Sequence, residues 1–92
     1  MLDRTDVDSM ERVAALVRRL LAKRAINREV GSDDDLTASG LSSLDIVNLM
    51  LSVEGEFDIK IPDHEMTPAN FRSIARINAI VGALLAAQKA AG

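Results

Sequence analysis

Apolar residues recur at three- and four-residue steps early in this chain: Met10, Val13, Val17, Leu20 and Leu21, with Arg12, Arg18, Arg19 and Lys23 on the other faces. A helix is the conformation that gathers residues so spaced onto one side. Asp6, Asp8 and Glu11 near its start and Lys23 and Arg24 near its end suit the helix dipole, so a helix over about 7–25 is expected. The same rhythm returns in Ile74, Ile77, Val81, Leu84 and Leu85, with Ser73 placed to cap the last helix. A helix with one apolar stripe is stable only when that stripe is covered. Alanine, leucine, isoleucine and valine dominate and only two prolines interrupt, so the fold class is all-α. With 92 residues the chain is read as one domain spanning 1–92, its ordered core at about 7–87 and frayed ends at 1–5 and 89–92.

Several function classes are excluded by what is absent. There is no cysteine, which removes disulfides, thiolate metal sites and a cysteine nucleophile. No run approaches the ~20 apolar residues of a membrane span, and "MLDRTDVDSMER" is too charged for a signal peptide. A soluble, cytoplasmic, monomeric protein is the expectation. The only aromatics are two phenylalanines, so there is no platform for stacking nucleic-acid bases. The net charge of −3 hides a division along the chain. Residues 1–28 carry seven basic and four acidic side chains, whereas residues 29–67 carry ten acidic side chains and one lysine. That acidic middle repels phosphate backbones and is expected to attract a basic protein surface.

Residues 27–40, "NREVGSDDDLTASG", lose the helical rhythm and form a long loop, with Val30 and Leu36 expected to pin it to the core. Asp33, Asp34 and Asp35 resemble a calcium loop only superficially. Counted from Asp33, the glycine that such a loop needs at its sixth place is Ala38, so no metal site is expected. A second helix is expected over about 43–56. Ser42 and Asp45 form its capping box, with Ser42 as the helix cap and Asp45 at the third helical position. "DIKIPD" alternates like a strand but has no partner strand, and reads as an extended connection with Ile59 and Ile61 in the core. Asp63 is expected to cap a short turn of helix, and Thr67-Pro68 to start another. Three longer helices and one short one make a small antiparallel four-helix bundle.

Ser43 is the residue this scheme leaves without a structural task. Three readings compete: a polar first-turn residue, a hydrolase nucleophile, or a site of covalent modification through phosphate, which a helix N-terminus favours. The nucleophile reading needs a base, and the single histidine is His64. There is no G-x-S-x-G elbow and no glycine-rich phosphate loop, so no enzymatic activity is expected.

The stretch "DDDLTASGLSSLDIVNLMLSVEGEFDIKIPD" resembles the core of the acyl carrier proteins and of peptidyl and aminoacyl carrier domains. In that family the serine of an Asp-Ser-Leu motif opens the second helix and carries 4'-phosphopantetheine. Ser43 matches that serine, Leu44 the leucine, and Glu54, Glu56 and Phe57 the "EExF" stretch; Asp58, Ile59, Ile61, Pro62 and Asp63 match "F-x-I-x-I-P-D". Ser42 replaces the motif's aspartate, and Asn48 and Ser52 replace carboxylates common on the family's second helix. The resemblance spans about residues 10–86. It implies a carrier that holds an acyl or aminoacyl group as a thioester on an arm attached to Ser43. Its implied partners are a phosphopantetheinyl transferase, a loading ligase and downstream acyltransferases. The "GLSS" form and "FRSIARI" at 71–77 look closer to freestanding aminoacyl carriers of specialised pathways than to fatty-acid carriers. The alternative is a small helical protein-interaction module without a prosthetic group.

The second helix has more apolar residues than one stripe buries. Ile46, Leu49, Met50, Val53 and Phe57 are expected to face the bundle; Leu44, Val47 and Leu51 form a second stripe turned toward Ser43. Leu44 and Val47 are read as partner contacts, and Leu51 as either a partner contact or a residue packed under the loop. Asp45, Glu56 and the loop aspartates are expected to form an acidic rim around them.

Overall fold

In the computed structural model the backbone is described for residues 4–91 and the side chains for residues 9–88. Three α-helices form: α1 (Arg4–Lys23), α2 (Ser43–Phe57) and α3 (Ile74–Ala91). Among the described residues there is no strand, and no helix is long and apolar enough to cross a membrane. Residues 4, 5 and 89–91, expected to fray, are helical; the remainder of that expectation falls on residues outside the described range.

The short fourth helix is replaced by two 3₁₀ turns, Asp63–Glu65 and Pro68–Phe71. Pro62 precedes the first turn with extended backbone, and Asp63 is its first residue with no side-chain cap bond, so the capping role expected of Asp63 is not realised. The proline at the start of the second turn has its fixed φ in the right region and loses no hydrogen bond there. Ser73 does cap α3, its hydroxyl accepting the N–H of Arg76 at 3.1 Å.

The stripe of α1 enters the core with Val13, Val17 and Leu21 buried, joined by Leu16; Met10 and Leu20 are half-buried beside it. Ile46, Leu49, Met50, Val53 and Phe57 of α2 and Ile74, Ile77 and Val81 of α3 complete the core. α1 packs on both α2 and α3, whereas the second 3₁₀ turn touches both α2 and α3. Phe71 in that turn is fully buried. Ile61 is buried as expected and Ile59 half-buried, the N–H of Ile61 donating to Glu54 Oε2 at 2.7 Å.

The loop between α1 and α2 is ordered by specific contacts. α1 ends in a Schellman motif, the Ile26 N–H donating to Leu21 O (2.9 Å) and the Ala25 N–H to Ala22 O (3.0 Å). Ala25 occupies the left-handed position with φ 57°, a place usually taken by glycine. Leu36 and Leu41 are buried and Val30 is half-buried against the core. Leu36 N–H donates to Arg72 O at 2.8 Å, and Ala75 N–H to Ser32 O at 2.9 Å, which ties the loop to the start of α3. Gly40 has φ 116°, a conformation that favours glycine, and a Cβ there would press on Ile26 Cδ1 at 3.1 Å.

Candidate functional site

The loop delivers the chain to Ser42, whose extended backbone and hydroxyl begin α2. Ser42 Oγ accepts the Asp45 N–H at 3.1 Å, and Asp45 Oδ2 accepts the Ser42 N–H at 3.0 Å. The capping box therefore uses the two residues named from the sequence, and Ser42 is the cap. Arg24, just past α1, donates its Nε to Asp45 Oδ1 at 2.7 Å and makes a further ion-pair contact through Nη2. The Ser42 N–H, the largest influence, holds the Asp45 carboxyl below its ordinary 3.8; Arg24 and the Ser42 hydroxyl add to this, against the opposing effect of desolvation.

Ser43 is exposed at the first helical position. Its hydroxyl, its own N–H and the N–H of Leu44 have no partner among the described residues. Two free amide donors thus stand at the positive end of α2 beside a free hydroxyl. An anionic group attached there would find hydrogen-bond donors at hand. Among the described residues no hydrogen bond joins Ser43 to His64 or to a carboxylate. Among the described residues no group of three or more His, Asp or Glu side chains could hold a metal ion.

The second stripe of α2 faces solvent. Leu44 is 66% exposed, Val47 40% and Leu51 55%, so Leu51 is not packed under the loop. Asp45 and Glu56, two members of the acidic rim expected around this stripe, are both engaged by arginines. Asp45 is 3% exposed, because its carboxylate is turned inward to the cap and Arg24. Glu56 lies at the far end of α2, where Arg12 engages its carboxylate at 2.8 Å and stacks over Phe57, 4.4 Å from the ring centroid. Glu54 is taken up by Ile61. In the loop, Asp35 accepts from Thr37 Oγ1 (2.6 Å) and N–H (2.9 Å) and faces Arg72 at 3.6 Å, while Asp34 accepts the Gly31 N–H.

Beside the stripe an open groove of about 560 Å³ runs between α1 and α2. Leu16, Leu20, Leu49 and Leu51 supply its apolar lining, with Arg19, Lys23, Arg24 and Asp45 at its polar margin. Sequence reasoning missed both this groove and the Arg24–Asp45 pair. Partners 21 residues apart on different elements leave no local pattern.

Comparison with known proteins follows the same lines. A family model described as "Phosphopantetheine attachment site" matches residues 11–81. Aminoacyl carrier protein 2 of Bradyrhizobium diazoefficiens is 40% identical over 77 residues, covering 84% of this chain and 86% of that protein. Aminoacyl carrier protein 1 of the same organism is 41% identical over 76 residues, covering 83% and 84%. Among solved structures, the carrier protein bound to Bradyrhizobium japonicum glycine:[carrier protein] ligase with an analogue of glycyl adenylate superposes with a TM-score of 0.68. The identity is 40%, and the match covers 80% of this chain and 96% of that one. The complex with glycylated carrier protein gives a TM-score of 0.65 at 41% identity, covering 77% and 96%.

Proposed function

This chain belongs to the phosphopantetheine attachment-site family, and on that premise we propose that Ser43 is the attachment residue of a carrier for aminoacyl groups. The single observation that carries the assignment to Ser43 is its free hydroxyl beside two free amide donors at the start of α2, while the neighbouring Ser42 is committed to the cap. When bound, 4'-phosphopantetheine supplies a terminal thiol on which cargo is held as a thioester. The chain has no cysteine of its own to compete for that cargo. Its residues act on position. Ser42, Asp45 and Arg24 hold the first turn of α2 in one geometry, the unpaired N–H groups of Ser43 and Leu44 would donate to the phosphate oxygens, and Leu44 and Val47 offer contact to a partner within one helical turn.

The protein acts in this reading as a cytoplasmic carrier and not as an enzyme. It receives its arm from a phosphopantetheinyl transferase, its cargo from an aminoacyl-loading ligase, and passes it to acyltransferases. The aminoacyl carrier relatives favour a small aminoacyl cargo over a long fatty chain.

Intact mass after co-expression with a phosphopantetheinyl transferase tests the assignment. The wild-type protein should gain one phosphopantetheinyl group and Ser43→Ala none, with its melting little changed. Ser42→Ala should still be modified but lose about 1 kcal/mol of stability with its cap. An arm found on Ser42 overturns the assignment, and an unmodified wild-type chain returns the protein to the interaction-module reading.

A further inference from the structure

The carboxylates of α2 are all engaged within the protein: Asp45 by its cap and Arg24, Glu54 by the Ile61 N–H, and Glu56 by Arg12. The exposed Leu44, Val47 and Leu51 of α2 are interspersed with the uncharged Asn48 and Ser52. Two charges of α1 stand at the groove that Leu51 lines. Arg19 and Lys23 are exposed, and no carboxylate among the described residues pairs with either. Both line the groove that also contains Leu51, so the two cations share one surface with the Leu51 end of the apolar stripe. Asp33, Asp34 and Asp35 do not line it, because the loop is tied toward the start of α3.

From this we infer that the groove between α1 and α2 is the docking surface for the aminoacyl-loading ligase, and that the ligase meets it with an acidic patch beside an apolar ridge. The inference rests on the carrier reading and deepens it. The sign of the attraction is opposite to the one that the acidic middle of the sequence suggests. Net charge along a chain does not decide recognition; the charges left unpaired around the contact do. An apolar ridge that fills the groove covers Leu51, Leu20 and Leu16, and carboxylates at its edge meet Arg19 and Lys23. Arg24 is unsuited to the same task, because its guanidinium holds the cap of α2.

The experiment is aminoacyl transfer to the phosphopantetheinylated protein by glycine:[carrier protein] ligase, with the carrier concentration varied. Arg19→Glu combined with Lys23→Glu should lower kcat/KM about tenfold or more, chiefly through KM. Raising salt should slow the wild-type protein and have little effect on the double variant. Arg19→Glu alone, which leaves the end of α1 intact, should show the same direction. Lys60→Glu, outside the groove, should change neither parameter. Unchanged or improved transfer to the charge-reversed proteins overturns the inference while leaving the carrier reading in place. A wild-type dimer that the double variant dissolves also overturns it, since the occupant is then a second copy of this chain. If the phosphopantetheinylated wild-type protein accepts no aminoacyl group from the ligase, the inference is overturned, while the carrier reading is decided separately by the intact mass.

Discussion

Ser42 and Asp45 exchange one hydrogen bond in each direction across the first turn of α2, and Arg24 reaches Asp45 from the end of α1. One carboxylate thus closes a helix start and ties it to another helix. Its depressed pKa gives the contact a pH signature. The unfolded chain takes up the proton first on acidification, so the contribution of ionised Asp45 is complete above the ordinary value of 3.8. It is lost as pH falls through the lower folded-state value. Urea midpoints measured from pH 7 to pH 3 should therefore hold steady and then fall at the acid end. Asp45→Asn should start lower at pH 7, since Arg24 loses its ion-pair partner, and fall less steeply below about pH 4. A residual slope is expected from Asp35, whose carboxyl is also held below 3.8, mainly by the Thr37 hydroxyl. Equal acid losses in wild type and variant would show that Asp45 does not contribute.

At the scale of the element, α2 has two apolar stripes with different fates. Ile46, Leu49, Met50, Val53 and Phe57 are buried, while Leu44, Val47 and Leu51 remain in water. Burial of an apolar side chain contributes about 1.5–3 kcal/mol, so a folded domain that leaves three such residues exposed forgoes stability there. Scattered single exposures need no explanation, but three at helical spacing beside a free serine make a surface. Val47→Asp should melt within about 1 kcal/mol of wild type, because its side chain makes little of the core. Transfer of cargo from partner enzymes should weaken. Unfolding of the variant would place Val47 in the core and remove it from the docking surface.

For the whole molecule, the second 3₁₀ turn decides how the helices close. Phe71 is fully buried in a turn that touches both α2 and α3. Phe71→Ala should cost about 3–5 kcal/mol, a large share of what a domain of this size has available. Chemical denaturation of the unmodified protein measures this directly. A loss below about 1 kcal/mol would mean that the helices close without it. The unmodified wild-type protein should unfold cooperatively in the same experiment, since the core is built from the chain's own side chains.

The sequence by itself determined the helices, their order and the residues of the cap. Their signals are local: a three- and four-residue rhythm, a serine three residues before an aspartate, a serine before Ile74. Most of the core was legible for the same reason, and so was the placement of Ser43 at the first helical position. Tertiary structure decided what spacing along the chain cannot encode. Phe71 was not legible as a core residue because a 3₁₀ turn has no long apolar period to mark it. Asp63 matched a capping preference, yet Pro62 already set the entry to its turn and left no cap bond to make. Above all, residues 29–67 carry ten carboxylates and implied an acidic surface. The fold turned Asp45 inward, paired Glu56 with Arg12, and set Arg19 and Lys23 of α1 along the groove that Leu51 of α2 lines. Charge at a surface depends on which groups remain unpaired and where they point, and that is settled only when distant segments pack together.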